Sequence, residues 1–102
     1  MTQAAETNQV QVVRPSYDIV ASHVEQFRKE LQDFVTQGHI HLAIDLQDVK
    51  MIDSKGLAVF MLCHKSVSAS GGSLVVLTGN KDFKQLFHVM RMDEHFKVAE
   101  SL

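Results

Sequence analysis

The stretch from His41 to Ser66, HLAIDLQDVKMIDSKGLAVFMLCHKS, constrains this chain more than any other, because it must pass from strand to helix in a short span. Leu42, Ala43, Ile44 and Leu46 read as a strand, Gln47 to Lys50 as a short polar turn, and Met51-Ile52 leads to Asp53-Ser54, where a helix should begin. Asp and Ser carry side-chain oxygens that accept from the free N–H groups of a first helical turn. From Gly56 onward, Leu57, Phe60, Met61 and Val67 recur near helical spacing. Ser54 therefore belongs at or beside a helix N-terminus, with its hydroxyl accessible where the chain turns at the surface.

The other segments alternate in the same way. Residues 1–8 are polar and aperiodic and read as a frayed lead-in. Val10, Val12 and Val13 form a short strand that Arg14-Pro15 stops, because proline cannot donate to a ladder. From Asp18 to Val35 the apolar residues Val20, Val24, Phe27, Leu31, Phe34 and Val35 keep a helical period, with Ser16 or Asp18 as cap and Gly38 as stop. Ser70-Gly71-Gly72-Ser73 ends the central helix and Leu74 to Leu77 reads as a buried strand. Asn80 or Asp82 caps a third helix through Phe83, Leu86, Phe87 and Met90, ending near Met92-Asp93, and Phe96 to Ala99 supplies an edge strand. Such alternation predicts an α/β domain: a small, mostly parallel sheet of about four strands joined by right-handed crossovers, with helices packed mainly on one face. At 102 residues this is a single domain, 1–102, with no room for a second.

Charge and chemistry narrow the function. A net charge of −2, with Lys and Arg scattered, provides no basic field for nucleic acid or anionic lipid. No apolar run approaches the ~20 residues that span a bilayer, and no leader pattern opens the chain, so a cytoplasmic protein without membrane insertion is expected. Cys63 has no partner cysteine and reads as a small buried hydrophobe. His39 and His41 would share one strand face, yet no third ligand stands at a recognisable spacing, so no metal is assigned. His23, His64, His88 and His95 are dispersed, and nothing pairs one of them with an activated nucleophile. Gly71-Gly72 lacks the Lys-Ser/Thr of a phosphate cradle and precedes a strand instead of following one, so no nucleotide cofactor is expected.

The segment Asp45-Leu46-Gln47-Asp48-Val49-Lys50-Met51-Ile52-Asp53-Ser54-Lys55-Gly56-Leu57-Ala58-Val59-Phe60 resembles the signature of STAS domains, in particular the anti-sigma factor antagonists of bacterial partner-switching systems. The resemblance covers about His39 to Ala99 well and the first third loosely. Lys55 stands where the family usually has Ser or Thr, Arg91 replaces a usual Gly, and Pro15-Ser16-Tyr17-Asp18 occupies the place of a Gly-x-apolar-Asp turn.

No nucleophile–base pair, metal cluster or cofactor motif emerges, so the chain reads as a signalling protein without catalytic activity of its own, and the resemblance implies how it would signal. Its unphosphorylated form would bind an anti-sigma factor that is also a serine kinase of GHKL type, releasing a sigma factor. Phosphorylation of Ser54 would end that association, and a PP2C-type phosphatase would reverse it. The partner-binding residues implied are Asp18, Asp53, Ser54, Lys55, Gly56, Leu57 and Ala58, with Asp53 positioning the Ser54 hydroxyl and Leu57 and Ala58 forming the apolar part of the contact. A second reading is a structural STAS subunit of a phospholipid-transport or stress-sensing complex, with no phosphorylation cycle. A hydrolase using Ser54 has no His or acid arranged in sequence to activate it.

Overall fold

The computed structural model describes residues 9–102, so the lead-in at 1–8 lies outside the described residues. The elements are β1 (Gln11–Val13), α1 (Val24–Thr36), β2 (His41–Asp45), α2 (Ser54–Ala69), β3 (Ser73–Leu77), α3 (Lys81–Val89), a 3₁₀ turn at Met92–Glu94 and β4 (Lys97–Ala99). The four strands lie in the order β1-β2-β3-β4 and every described pair is parallel, with Val13, Ile44, Val76 and Val98 in one row. Neighbours in sequence are neighbours in the sheet, and right-handed crossovers then stack the helices on the same side.

Alternation along the strands turns Leu42, Ile44, Leu74 and Val76 toward the helices, where they join Phe27, Leu31, Phe60, Val67 and Phe87 in one core. Phe60 sits at its centre: its ring centroid lies 5.4 Å from that of Phe27 on α1, 5.4 Å from that of Phe87 on α3 and 6.4 Å from that of Phe96 before β4. Each such aromatic pair adds about 0.5–1.5 kcal/mol beyond area burial, so one residue of α2 ties both flanking helices to the sheet.

Two helices end as the glycines dictate. Gly38 and Gly71 take positive φ, 97° and 81°. At the first, the N–H groups of His39 and Gly38 donate to Phe34 and Val35; at the second, those of Gly72 and Gly71 donate to Val67 and Ser68, the paired bonds of a Schellman ending. Gly72 is required for a different reason, since a Cβ there would lie 1.8 Å from the Ile40 carbonyl oxygen.

Three expectations need correction. The first helix begins at Val24, not near Asp18, with neither Ser16 nor Asp18 as its cap; His23 holds the N-cap position without a side-chain bond. The reason is tertiary: Ile19 forms an isolated parallel bridge with Ile52, donating to the Met51 carbonyl at 3.0 Å and accepting from the Asp53 N–H at 3.2 Å. That pairing requires extended backbone where the apolar period alone suggests helix. The third helix stops at Val89 instead of running to Met92-Asp93, because Arg91 adopts a left-handed conformation and donates its N–H to the His88 carbonyl. Its cap is Asn80, whose Oδ1 accepts from Asp82 and Phe83. Lastly, β2 begins at His41, so the two histidines do not share a strand face; His39 instead sets its ring edge-on to Phe34, with centroids 5.6 Å apart.

Candidate functional site

The site is built where the loop after β2 enters α2. Asp53 is the N-cap: its Oδ1 accepts from the Gly56 N–H at 2.9 Å, satisfying one of the free donors of the first turn. Its Oδ2 accepts from the Ala21 N–H at 2.8 Å, in the segment before α1. The donors of Gly56 and Ala21, aided by Lys55 beside it, hold the Asp53 carboxyl below the ordinary carboxylate range. Both oxygens are thereby committed to backbone, and Asp53 holds Ser54 through the helix start, with no bond to its hydroxyl.

Asp18 performs the matching task from the other side. Its Oδ1 accepts from the N–H groups of Lys50 at 2.9 Å and Met51 at 3.2 Å. Two aspartates thus clasp two loops about 32 residues apart in sequence, and the Ile19–Ile52 bridge lies between them. Tyr17 anchors the same segment to α1 by donating its hydroxyl to Glu30 at 2.9 Å; burial first, then Glu30, pushes the phenol pKa upward.

Gly56 lets the clasp close. It is buried, and a Cβ on it would lie 2.2 Å from the Ile19 carbonyl oxygen and 2.7 Å from the Ile19 Cγ2. Only hydrogen permits the bridging segment to lie so near the first turn of α2. Lys55 points to solvent, and Ser54, the first residue of the helix, is exposed. Among the described residues no imidazole or carboxylate makes a hydrogen bond to the Ser54 hydroxyl.

Beside Ser54 runs an apolar groove of about 280 Å³. Ser54, Leu57, Ala58 and Met61 of α2 form one wall. Met90, Met92 and His95, from the end of α3 and the turn after it, form the other. Of the implied contact residues, Ser54, Leu57 and Ala58 meet in this groove, whereas Asp18, Asp53 and Gly56 serve the clasp behind it. The second wall was missed in the sequence, since Met90, Met92 and His95 carry no motif. The available signal was methionine itself: three of the chain's five line this groove, and a fourth, Met51, is 59% exposed on the loop before α2. Methionine is flexible and polarizable and suits surfaces that repack around a partner.

Elsewhere, a larger cleft of about 540 Å³ lies at the carboxyl ends of the strands, flanked by the Arg14–Asp45 ion pair and the Asn80 cap. Cys63 is buried at 6% exposure, and that burial pushes its thiol up to about 11. No trio of His, Cys, Asp and Glu is placed to hold a metal among the described residues, and no helix among them is long and apolar enough to cross a membrane.

Known proteins share this fold. A protein of Thermotoga maritima named as a candidate anti-sigma factor antagonist is 26% identical over 94 residues, covering 91% of this chain and 83% of that protein. A Thermotoga neapolitana counterpart gives the same identity and coverage. The crystal structure of a candidate anti-sigma factor antagonist from Thermotoga maritima superposes with a TM-score of 0.87 at 25% identity, covering 93% of this chain and 82% of that one. Unphosphorylated SpoIIAA, an anti-sigma factor antagonist, shares the fold with a TM-score of 0.74 at 16% identity, over 94% of this chain and 84% of its own. The model of the STAS domain matches residues 1–102 from end to end, and this chain belongs to the STAS domain family.

Proposed function

We propose that this protein is an anti-sigma factor antagonist whose docking to an anti-sigma factor is switched by phosphorylation of Ser54. The observation that carries the reading is the exposed serine at the start of a capped 16-residue helix, on the lip of an apolar groove. Relatives named as candidate anti-sigma factor antagonists over most of their length support it.

Charge supplies the switch. A phosphoserine adds about −1.5 to −2 charge at neutral pH. At the N-terminus of α2 the helix dipole favours that charge, so the fold need not change. In a docked interface the same charge would be stripped of water against apolar groups of the partner, a penalty of about 2–5 kcal/mol when unpaired. The unphosphorylated form docks and the phosphorylated form leaves. In this reading the partner is a serine kinase of GHKL type, a PP2C-type phosphatase restores the hydroxyl, and the protein acts in the cytoplasm as a regulator with no catalysis of its own.

Intact mass and peptide mapping of the protein isolated from its own host, beside a Ser54→Ala variant, test the modification. The expected result is a phosphate-sized increment on Ser54 that is absent from the variant. No increment under growth and stress conditions alike would overturn the switch and leave a constitutive STAS scaffold.

A further inference from the structure

The segments Met61-Leu62-Cys63-His64 and Met92-Asp93-Glu94-His95 repeat one pattern, Met-x-x-His, on the two elements that wall the groove beside Ser54. Residues at that spacing share a face of an α-helix and eclipse one another in a 3₁₀ turn. In α2 the groove-lining stripe of Ser54, Leu57, Ala58 and Met61 therefore continues to His64, whereas Cys63 turns into the separate cleft against α1. The turn after α3 sets Met92 and His95 on the facing wall. Two histidines that are dispersed in the sequence meet here: the ring centroids of His64 and His95 lie 5.9 Å apart, with the rings inclined at 52°.

We propose that Met61, His64, Met92 and His95 form a binding site for copper(I) that bridges α2 and the turn after α3. An imidazole nitrogen binds a metal at about 2 Å and its ring centre lies about 1 Å further out, so two rings on one ion have centres within about 6 Å of each other. Both rings have a nitrogen to offer: Nδ1 of His64 faces the Ser68 hydroxyl at 3.4 Å, which leaves Nε2, and the ring of His95 makes no hydrogen bond among the described residues. Met61, half-buried, and Met92, buried, add thioethers from the two walls. Anionic oxygen is not among these donors, since Asp93 is bound to His88, and Glu94, exposed beside His95, lies outside the groove lining. Neutral thioether and imidazole donors suit a soft, singly charged ion and not the oxygen-seeking Mg²⁺ or Ca²⁺. A bound ion would tie the two walls together at the end of the groove away from Ser54.

Copper(I) itself is the probe, added under nitrogen to the full chain with its methionines carrying carbon-13 in the ε-methyl group and followed by NMR. The expected result is that the methyl signals of Met61 and Met92 shift and saturate at one ion per chain, while that of Met51, exposed on the loop before α2, stays in place. Met61→Leu keeps the side-chain volume, and His64→Gln removes one imidazole. Each should weaken binding by at least about tenfold, because loss of even a supporting group around a metal costs about 10–100-fold. Met51→Leu and His23→Gln should bind as the parent does. Zinc(II) binding as tightly as copper(I), with Met61→Leu unaffected, would overturn ligation by the thioethers. Methyl signals that all respond alike, or that do not move, would overturn the site altogether. None of these outcomes depends on phosphorylation of Ser54, so the site and the docking reading are tested separately.

Discussion

The carbonyl oxygen of Ile19 lies 2.2 Å from where a Cβ on Gly56 would be, so the first turn of α2 and the segment before α1 are in contact through hydrogen alone. Gly56→Ala must push apart a bridge that is itself hydrogen-bonded to Met51 and Asp53. The obstacle is backbone, which cannot swing aside like a side chain. The expected loss is about 2–3 kcal/mol, read as a lowered urea midpoint. A midpoint equal to that of the parent would show that the two segments do not approach this closely.

Asp53 gives the fold a pH dependence of definite sign. Its carboxyl holds a proton less tightly when folded than when unfolded, because it accepts from Gly56 and Ala21. Between the two pKa values the unfolded chain binds more protons, so this contribution is present above the ordinary carboxylate range and disappears as pH falls through the lower folded value. Asp53→Asn should therefore melt well below the parent at pH 7, and the gap should close toward pH 3. A gap that stays constant with pH would refute the assignment.

Arg91 holds a left-handed backbone at φ 59° and so carries strain that glycine would not. Relief of about 1–2 kcal/mol is partly offset by the greater freedom of glycine in the unfolded chain. Arg91→Gly should stabilise the fold by about 0.5–1 kcal/mol, whereas Arg91→Ala, which keeps a Cβ, should not. Thermal melts of the two variants side by side decide it.

Cys63 faces the core between α1 and α2, and its thiol is pushed up to about 11. At pH 8 only about one thiol in a thousand would be ionised. Ellman's reagent should label it in step with unfolding as denaturant is raised. Rapid stoichiometric labelling of the native chain would contradict its burial.

Local signals were legible because local physics produces them. Asp53 and Asn80, each one of two named caps, and Gly38 and Gly71-Gly72 as stops depend on residues within a few positions along the chain. The same holds for the strand at Leu42–Ile44, whose apolar run fits a strand covered on both faces. The failures share one cause. Asp18 looks like a helix cap, yet its carboxylate binds the N–H groups of Lys50 and Met51 in another loop, which no spacing within the first helix reveals. Arg91 interrupts an apolar period that Met92 seems to continue, because the C-terminal cap of α3 and the burial of Met92 decide the direction of the chain there.

The order of strands and helices, a helix cap at Asp53 or Ser54 and the surface placement of Ser54 were therefore determined by the sequence itself, since periodicity and capping act over one or two turns of chain. Only the tertiary structure decided what surrounds the serine. The clasp of Asp18 and Asp53 joins loops about 32 residues apart. The groove faces Ser54 and Met61 with Met90, Met92 and His95. Those contacts exist because a parallel sheet carries the helix starts to one edge and packs α2 beside the end of α3, a placement set by burying the Phe60 cluster rather than by any local preference of the residues that line the site.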